Sequence, residues 1–403
     1  MYVFSRFARP ALRIALLVAS FFSTLTADAF DLAGGDLKVH GFVSQGLVHT
    51  TDNNFLGESD GQVSHDFREI GVNASWRLVP DIQLSAELLS HRAGGTDDGS
   101  VRLDYGLVDW TALSSEHGRA GLRLGRLKTA YGLYNKTRDV AFTRPSIILP
   151  QSIYFERTRN LTVSADGVEL YAERYGETGS LTASFALGEP KTQTEAAKVA
   201  LFLSSPPGEL EARLAPDLQL LYEGAGNRYR LAFTALQLDL SYRPGTVDRL
   251  RAGRFKLTPL IFSGQYNAER WSLTGEYAIR RTSVSGFGPY FPDSHAVGQS
   301  YYLQASYRFA PQWEVLLRYD AFYADMHDRD GKAFAAATRQ PAFSRFARDW
   351  TTGIRFDVTP EFMLRAEYHR VNGTGFLAAQ DNPDVHALRR RWDMVMFLAS
   401  FRF

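Results

Sequence analysis

The sequence predicts an all-β chain folded as a transmembrane antiparallel β-barrel of about sixteen strands. Three observations carry that prediction. The segment 392–403 places Val395, Phe397, Ala399, Phe401 and Phe403 on alternate positions, so one row of side chains meets lipid and the other a polar lumen. Amphipathic segments along the chain can be laid out so that short and long connections strictly alternate, as in a barrel with tight turns at one end. Mean hydropathy is −0.23 and no helix-length apolar run follows the N-terminal leader, so a membrane protein of this composition has to cross as strands.

The leader reads as a cleaved signal peptide. Arg6, Arg9 and Arg13 precede the apolar run 14–22, and Ala27-Asp28-Ala29 supplies the small-x-small cleavage pattern, so residues 1–29 are assigned to export and 30–403 to a single barrel domain. The run is shorter than the roughly 17 to 25 residues a spanning helix needs. The chain carries a net charge of +1, and removing a leader with three arginines and one aspartate leaves −1, which gives no basic field for nucleic acid. The absence of cysteine removes disulfides, thiol catalysis and thiolate-bound metals. Nineteen Tyr, 28 Phe and six Trp are many aromatics for a polar chain, as two interfacial girdles require.

In order, the predicted strands begin with 38–50, which breaks phase, and 65–79, which carries Trp76 and closes on Val79-Pro80-Asp81. Segments 82–92, 101–113, 119–128 and 161–175 lead to Gly176-Glu177-Thr178-Gly179; 180–188 and 217–224 lead to Gly224-Ala225-Gly226-Asn227. Segments 228–242 and 252–266 again break phase, and Pro259 cannot donate to a ladder, so a bulge or a shifted boundary is expected there and eighteen strands is the alternative count. Asn267-Ala268-Glu269 then turns into 270–283 with Trp271. Alternation is cleanest in 298–309 and 313–324, joined by Ala310-Pro311-Gln312, where Tyr301, Leu303, Ala305, Tyr307 and Phe309 oppose Tyr302, Gln304, Ser306 and Arg308. Segments 349–358 and 362–371 flank Thr359-Pro360-Glu361, and 391–403 closes the set. Trp76, Trp271, Trp313 and Phe362 should mark one membrane interface.

On this layout and the terminal Phe403, the chain resembles the Gram-negative outer-membrane β-barrels, and in strand count and loop placement the sixteen-stranded general porins. The resemblance covers the region after the leader as architecture and rests on no short motif. It implies that Phe403 is the signal read by the barrel assembly machinery. It also implies an outer-membrane location, a homotrimer, and passive diffusion of small hydrophilic solutes past a loop after strand five that folds inward.

That loop is 129–160. Ile147, Ile148, Leu149, Ile153, Tyr154 and Phe155 are too apolar to hang in water and need a surface, for which the inner wall is available. Its Lys136, Arg138, Arg144, Arg157 and Arg159 outnumber Asp139 and Glu156, a local charge of +3 that favours anions at a constriction. The competing reading pairs these cations with acids as braces. Strand phase offers Glu69, Arg77, Glu87, Arg123, Glu169, Arg280, Arg308, Arg318, Arg355 and Arg365 as lumen-wall residues of mixed sign. If the arginines form a selective site, phosphate, another oxyanion or a carboxylate suits their forked donors.

Other features carry less. Asp52, Glu58, Asp60, Asp97 and Asp98 make two outer loops acidic, solvated or bridging lipopolysaccharide through divalent cations. Ala196, Val199, Ala200 and Leu203 share a helical stripe in 194–203. Residues 325–331 hold acids but fail calcium-loop spacing, so no metal site is assigned. No G-x-S-x-G, H-E-x-x-H or phosphate-cradling motif occurs, and the reading is neither enzyme nor cofactor-dependent; the alternative is a non-channel structural or enzymatic barrel.

Overall fold

The computed structural model describes residues 30–32, 36–192 and 195–403; the assigned signal peptide lies outside the described residues. Among the described residues, alternating apolar and polar side chains resolve into sixteen antiparallel staves. They are β1 Leu37–Thr50, β2 Val63–Val79, β3 Ile82–Ala93, β4 Asp98–Ser115, β5 Gly118–Lys128, β6 Ser164–Gly176 and β7 Gly179–Pro190. Two interrupted staves follow: β8 is Glu209–Ala212 then Ala215–Gly224, and β9 is Tyr229–Leu236 then Leu238–Arg243. The rest are β10 Gly253–Asn267, β11 Trp271–Ser285, β12 Ser294–Ala310, β13 Trp313–Tyr323, β14 Phe346–Asp357, β15 Phe362–Gly373 and β16 Arg391–Arg402. A three-residue strand, Phe30–Leu32, pairs with the start of β1.

Each stave pairs with its sequence neighbour, and β16 pairs with β1 from Met394↔Thr50 to Arg402↔Phe42, which closes the sheet and leaves no free edge. Phe403 completes this seam. Its amide donates to the Gly41 carbonyl (3.0 Å) and its carbonyl accepts from the Gly41 amide (3.1 Å), while a β-carbon at Gly41 would run into the Phe403 ring. A side chain at 41 would have to displace that ring, which glycine avoids.

The phase break in the first segment is a register shift between Gly46 and Val48 of β1. Pro259 corrects the expected bulge. It stays inside an unbroken β10–β11 ladder opposite Arg280, and the interruption falls on the other neighbour, β9, at Gln237. Pairing resumes in the same register on both sides, Ala235↔Leu260 and Leu238↔Leu257, and the Gln237 amide turns away to the Pro216 carbonyl (3.0 Å). Without an N–H, Pro259 has nothing to offer β9, so the gap opens there.

Outward rows are apolar and exposed, among them Leu103, Trp110, Leu124, Leu170, Phe185, Leu231, Phe262, Leu303, Leu317 and Trp350. Water would penalise each large side chain by roughly 1.5–3 kcal/mol relative to an apolar surround, so this belt demands hydrocarbon. Inward rows of β12 and β13 hold buried Tyr302, Gln304, Arg318 and Asp320. Trp76 and Trp271 are exposed near the short-turn end, but Phe362 sits opposite Phe401 and is buried, so it marks no interface.

The inward row of β16 corrects the expectation of a uniformly polar lumen. Trp392, Met394, Met396 and Leu398 are buried there with Ile147, Ile148 and Ala141, because the segment after β5 packs on them. The helix Glu195–Phe202 lies at the long-loop end. Its buried residues are Ala197 and Phe202, not the expected stripe ending at exposed Leu203, and Phe202 packs on Tyr242, Phe287 and Phe291.

Candidate channel constriction

Residues 129–163 leave β5 and return to β6 through a neck closed by the Thr129 amide on the Val163 carbonyl (3.1 Å). Between those points the segment runs across the barrel interior. Its backbone is satisfied by inward side chains of the far wall, as a chain outside regular structure requires when buried. Three arginines on alternate staves donate to carbonyls four residues apart: Arg365 of β15 to Arg144 (2.8 Å), Arg318 of β13 to Ile148 (3.3 Å), and Arg280 of β11 to Ser152. The same staves supply the acceptors. Glu276 takes the Leu133 amide (3.0 Å), Asp320 the Ser152 amide (3.1 Å) and Glu367 the Ile147 amide (2.6 Å).

On the near side, Asp217 of β8 accepts from the Ala130 amide (2.7 Å), and Gln219 donates to the Gly132 carbonyl (3.0 Å). At the tip, the Phe142 ring lies under Arg402 (4.2 Å) and Arg355 (5.9 Å). Glu276 is the busiest anchor: besides the Leu133 amide it accepts from Tyr154 (2.6 Å), Tyr302 (2.8 Å) and Ser263 (2.5 Å).

The loop charges are mostly spent on braces. Arg144 forms a two-pronged pair with Glu69 of β2 (2.6 and 2.7 Å), Arg138 pairs with Glu156 (2.5 Å) and Arg159 with Asp139 (2.5 Å). Lys136 reaches Glu169 of β6 at 3.3 Å, and Lys128 bridges Asp139 (2.6 Å) and Asp104. Arg157 makes no ion pair among the described residues and lies over the Phe155 ring (5.2 Å). Burial, with Arg345 and Arg280 nearby, lowers its pKa to about 10, so it is charged at neutral pH.

Of the other wall residues, Arg123 pairs with Asp109 (2.9 Å) and Glu169 (2.5 Å), Arg308 with Glu314 and Asp357 (3.2 Å each), and Arg355 with Asp357 (2.7 Å). Among the described residues, Glu87 accepts only a long bond from Asn73 (3.4 Å), and Arg77 is exposed with no ion pair. The structure thus gathers Glu69, Arg280, Arg318 and Arg365 at the loop anchors, and Arg123 and Glu169 near Lys136. Arg77, Arg308 and Arg355 stand toward the short-turn end.

Glu69, His91 and Asp139 bring ligand-type atoms within 4.8 Å of one another, as do Glu87, Asp104 and Asp139. Lys128, Arg144 and Arg159 already neutralise Glu69, Asp104 and Asp139 among them. Burial alone would raise Asp139 and Glu156, but Arg159 and Lys128 beside the first, and Arg138 beside the second, hold both below the usual carboxylate range. A depressed folded pKa contributes stability present above the unfolded value, about 4, and lost as pH falls through the folded one. Through these two carboxylates, protease accessibility of residues 129–163 is therefore expected to rise as the pH falls below about 4.

Sequence reasoning missed the anchors Lys128, Asp104, Asp217, Glu276 and Glu367; strand phase puts Asp320 on the lumen side with Arg318, but not as an anchor. Glu276, Asp320 and Glu367 lie in phase with Arg280, Arg318 and Arg365, so the same alternation places them inward. Beneath the segment, toward the short turns, lies a cavity of about 1040 Å³ whose lining includes Tyr134, Arg144, Tyr222, Arg228, Arg230 and Arg355.

No family model and no curated protein sequence matches the chain. Solved structures do. The outer membrane channel DcaP of Acinetobacter baumannii is 11% identical with a TM-score of 0.59, over 94% of this chain and 100% of that one. An anion-selective porin from Comamonas acidovorans is 14% identical with a TM-score of 0.57, over 91% and 99%. OprB of Pseudomonas putida is 9% identical with a TM-score of 0.59, over 91% and 94%. The chain has the closed sixteen-stranded fold of the general porins.

Proposed function

We propose that the chain is an outer-membrane porin of a Gram-negative bacterium, exported on its leader and inserted with the long loops outside. It passes small hydrophilic solutes by diffusion around the clamped segment 129–163. One observation carries this reading: an apolar-walled closed cylinder whose charged interior holds a chain segment across it and leaves a polar vestibule beneath. A homotrimer, recognition of Phe403 by the assembly machinery and contact with lipopolysaccharide belong to the same proposal.

Of the loop cations counted in the local charge, this reading keeps Arg157 for the anion preference and adds a residue of the vestibule. Arg138, Arg144 and Arg159 are matched by acids at 2.5–2.6 Å and present little net field. Arg157 and the vestibule's Arg228 have no carboxylate within ion-pair distance among the described residues, so they act as the selecting charges. In a salt gradient, Arg157→Gln with Arg228→Gln is expected to move the reversal potential toward cations, more than Arg138→Gln does. An unmoved potential refutes the assignment.

A second reading, a pore selective for phosphate or a carboxylate, is favoured by the four arginines that share the vestibule with Tyr134, Tyr222, Tyr229 and Tyr266. Saturation of current by one such anion would select it.

A further inference from the structure

Several outward rim arginines on this barrel are matched by acids: Arg92 by Asp66, Arg126 by Asp166, Arg254 by Asp239 and Arg243 by Glu209 and Glu211. At the long-loop end of β13–β15, three arginines stack instead on two rings. Arg348 of β14 faces outward, because its neighbours Ala347 and Asp349 form the buried inward row and Trp350, on its own side, is 54% exposed. Its guanidinium lies 5.5 Å from the Tyr323 ring centre and 5.1 Å from that of Phe346. Arg329, from the loop after β13, covers Tyr323 at 5.4 Å, and Arg390, just before β16, covers Phe346 at 5.6 Å. The Arg390 Nε also donates to Asn372 (3.0 Å), which stands beside Arg348 in the β14–β15 register.

Among the described residues no carboxylate comes within ion-pair distance of these three side chains. Two neighbouring acids are engaged elsewhere: Asp328 accepts the Ala333 and Phe334 amides, and Asp330 pairs with Lys332. The rings beneath are buried with Ala321, so the guanidiniums are held on a fixed platform, and the Arg329 and Arg390 side chains on it are exposed.

We propose that Arg329, Arg348 and Arg390 bind the phosphate groups of an anionic glycolipid headgroup lying against the outer wall. Guanidinium forks match phosphate oxygens, and side chains already fixed on rings lose little freedom on binding. The site opens sideways rather than into the lumen. Just below it the exposed Trp350, Tyr368 and Ile354 offer the apolar surface that acyl chains attached to such a headgroup would cover. The inference rests on the barrel spanning a membrane with its long loops outward.

The test uses the purified full-length protein in detergent, with bound lipid counted by native mass spectrometry. Probes are a bis-phosphorylated lipid A, the same lipid without phosphates, and inorganic phosphate as competitor. Wild type is expected to retain the phosphorylated lipid. Combined Arg329→Gln, Arg348→Gln and Arg390→Gln should weaken retention roughly tenfold or more, to the level of the dephosphorylated lipid, while Arg281→Gln on the outward face of β11 changes nothing. Unaltered heat-modified mobility of the variant shows that the barrel has formed. Equal retention of both lipids by wild type, or undiminished retention by the triple variant, overturns the proposal, as does displacement by millimolar inorganic phosphate, which would indicate a free-anion site. A protein that retains the lipid yet conducts no current would sink the porin reading and leave this site standing.

Discussion

Arg144→Ala is expected to release the tip of the inward segment and give a larger, noisier conductance. The Arg144 guanidinium meets both oxygens of Glu69, and both side chains are buried. Removing one partner leaves an uncompensated carboxylate in a low-dielectric site, which costs about 3–5 kcal/mol. The Arg144 nitrogen that bonds Glu69 also holds the Arg138 carbonyl (2.6 Å), so the loss spreads to the Arg138–Glu156 brace. The strain concentrates on a segment held by discrete clamps rather than by a ladder. The barrel wall itself keeps its backbone bonds and should still assemble. Single-channel recordings and protease nicking within 140–152 read the effect. Adding Glu69→Gln to the variant should restore part of the wild-type behaviour, because the stranded charge disappears with it. If Arg144→Ala conducts and resists protease like wild type, the pair does not hold the loop.

Glu276→Ala is the second large effect. Four donors converge on this carboxylate: the Leu133 amide and the hydroxyls of Tyr154, Tyr302 and Ser263. All sit in or beside a core containing Tyr131, Tyr134, Leu149 and Ile153, where water cannot replace the lost acceptor. Each orphaned buried donor costs about 1–3 kcal/mol, so a loss on the order of 4 kcal/mol is expected even if some find new partners. Thermal loss of heat-modifiable mobility should occur at a clearly lower temperature than in wild type, with Glu276→Gln intermediate because an amide oxygen still accepts. A wild-type transition for Glu276→Ala would show that the tyrosines, not the carboxylate, hold this part of the segment.

Period-two alternation and turn chemistry made the wall legible from sequence, because both are local: Pro311-Gln312 and Thr359-Pro360-Glu361 fall between staves, and Leu303, Leu317 and Arg318 face the sides their phase dictates. What alternation does not say is what covers each face. Alternation assigns the inward row of β16 to a polar lumen, yet Met394, Met396 and Leu398 are apolar and pack with Ile147 and Ile148. Pairings inside the barrel are hidden for the same reason. Arg144 finds Glu69 across 75 residues, and Ile147 finds Glu367 across 220, distances over which a sequence carries no geometric signal. The charge of the loop was legible as a sum and misleading as a field, since the wall supplies the counter-charges.

The interior clamps and the outward lipid site both presuppose a barrel that spans a bilayer, and the porin reading adds that it conducts past residues 129–163. Single-channel recording of the purified wild-type protein in a planar bilayer tests that most directly. Discrete, reproducible current steps are predicted, with permeation of chloride above potassium. Protein that inserts into the bilayer with its strand content intact and yet carries no current would contradict the account.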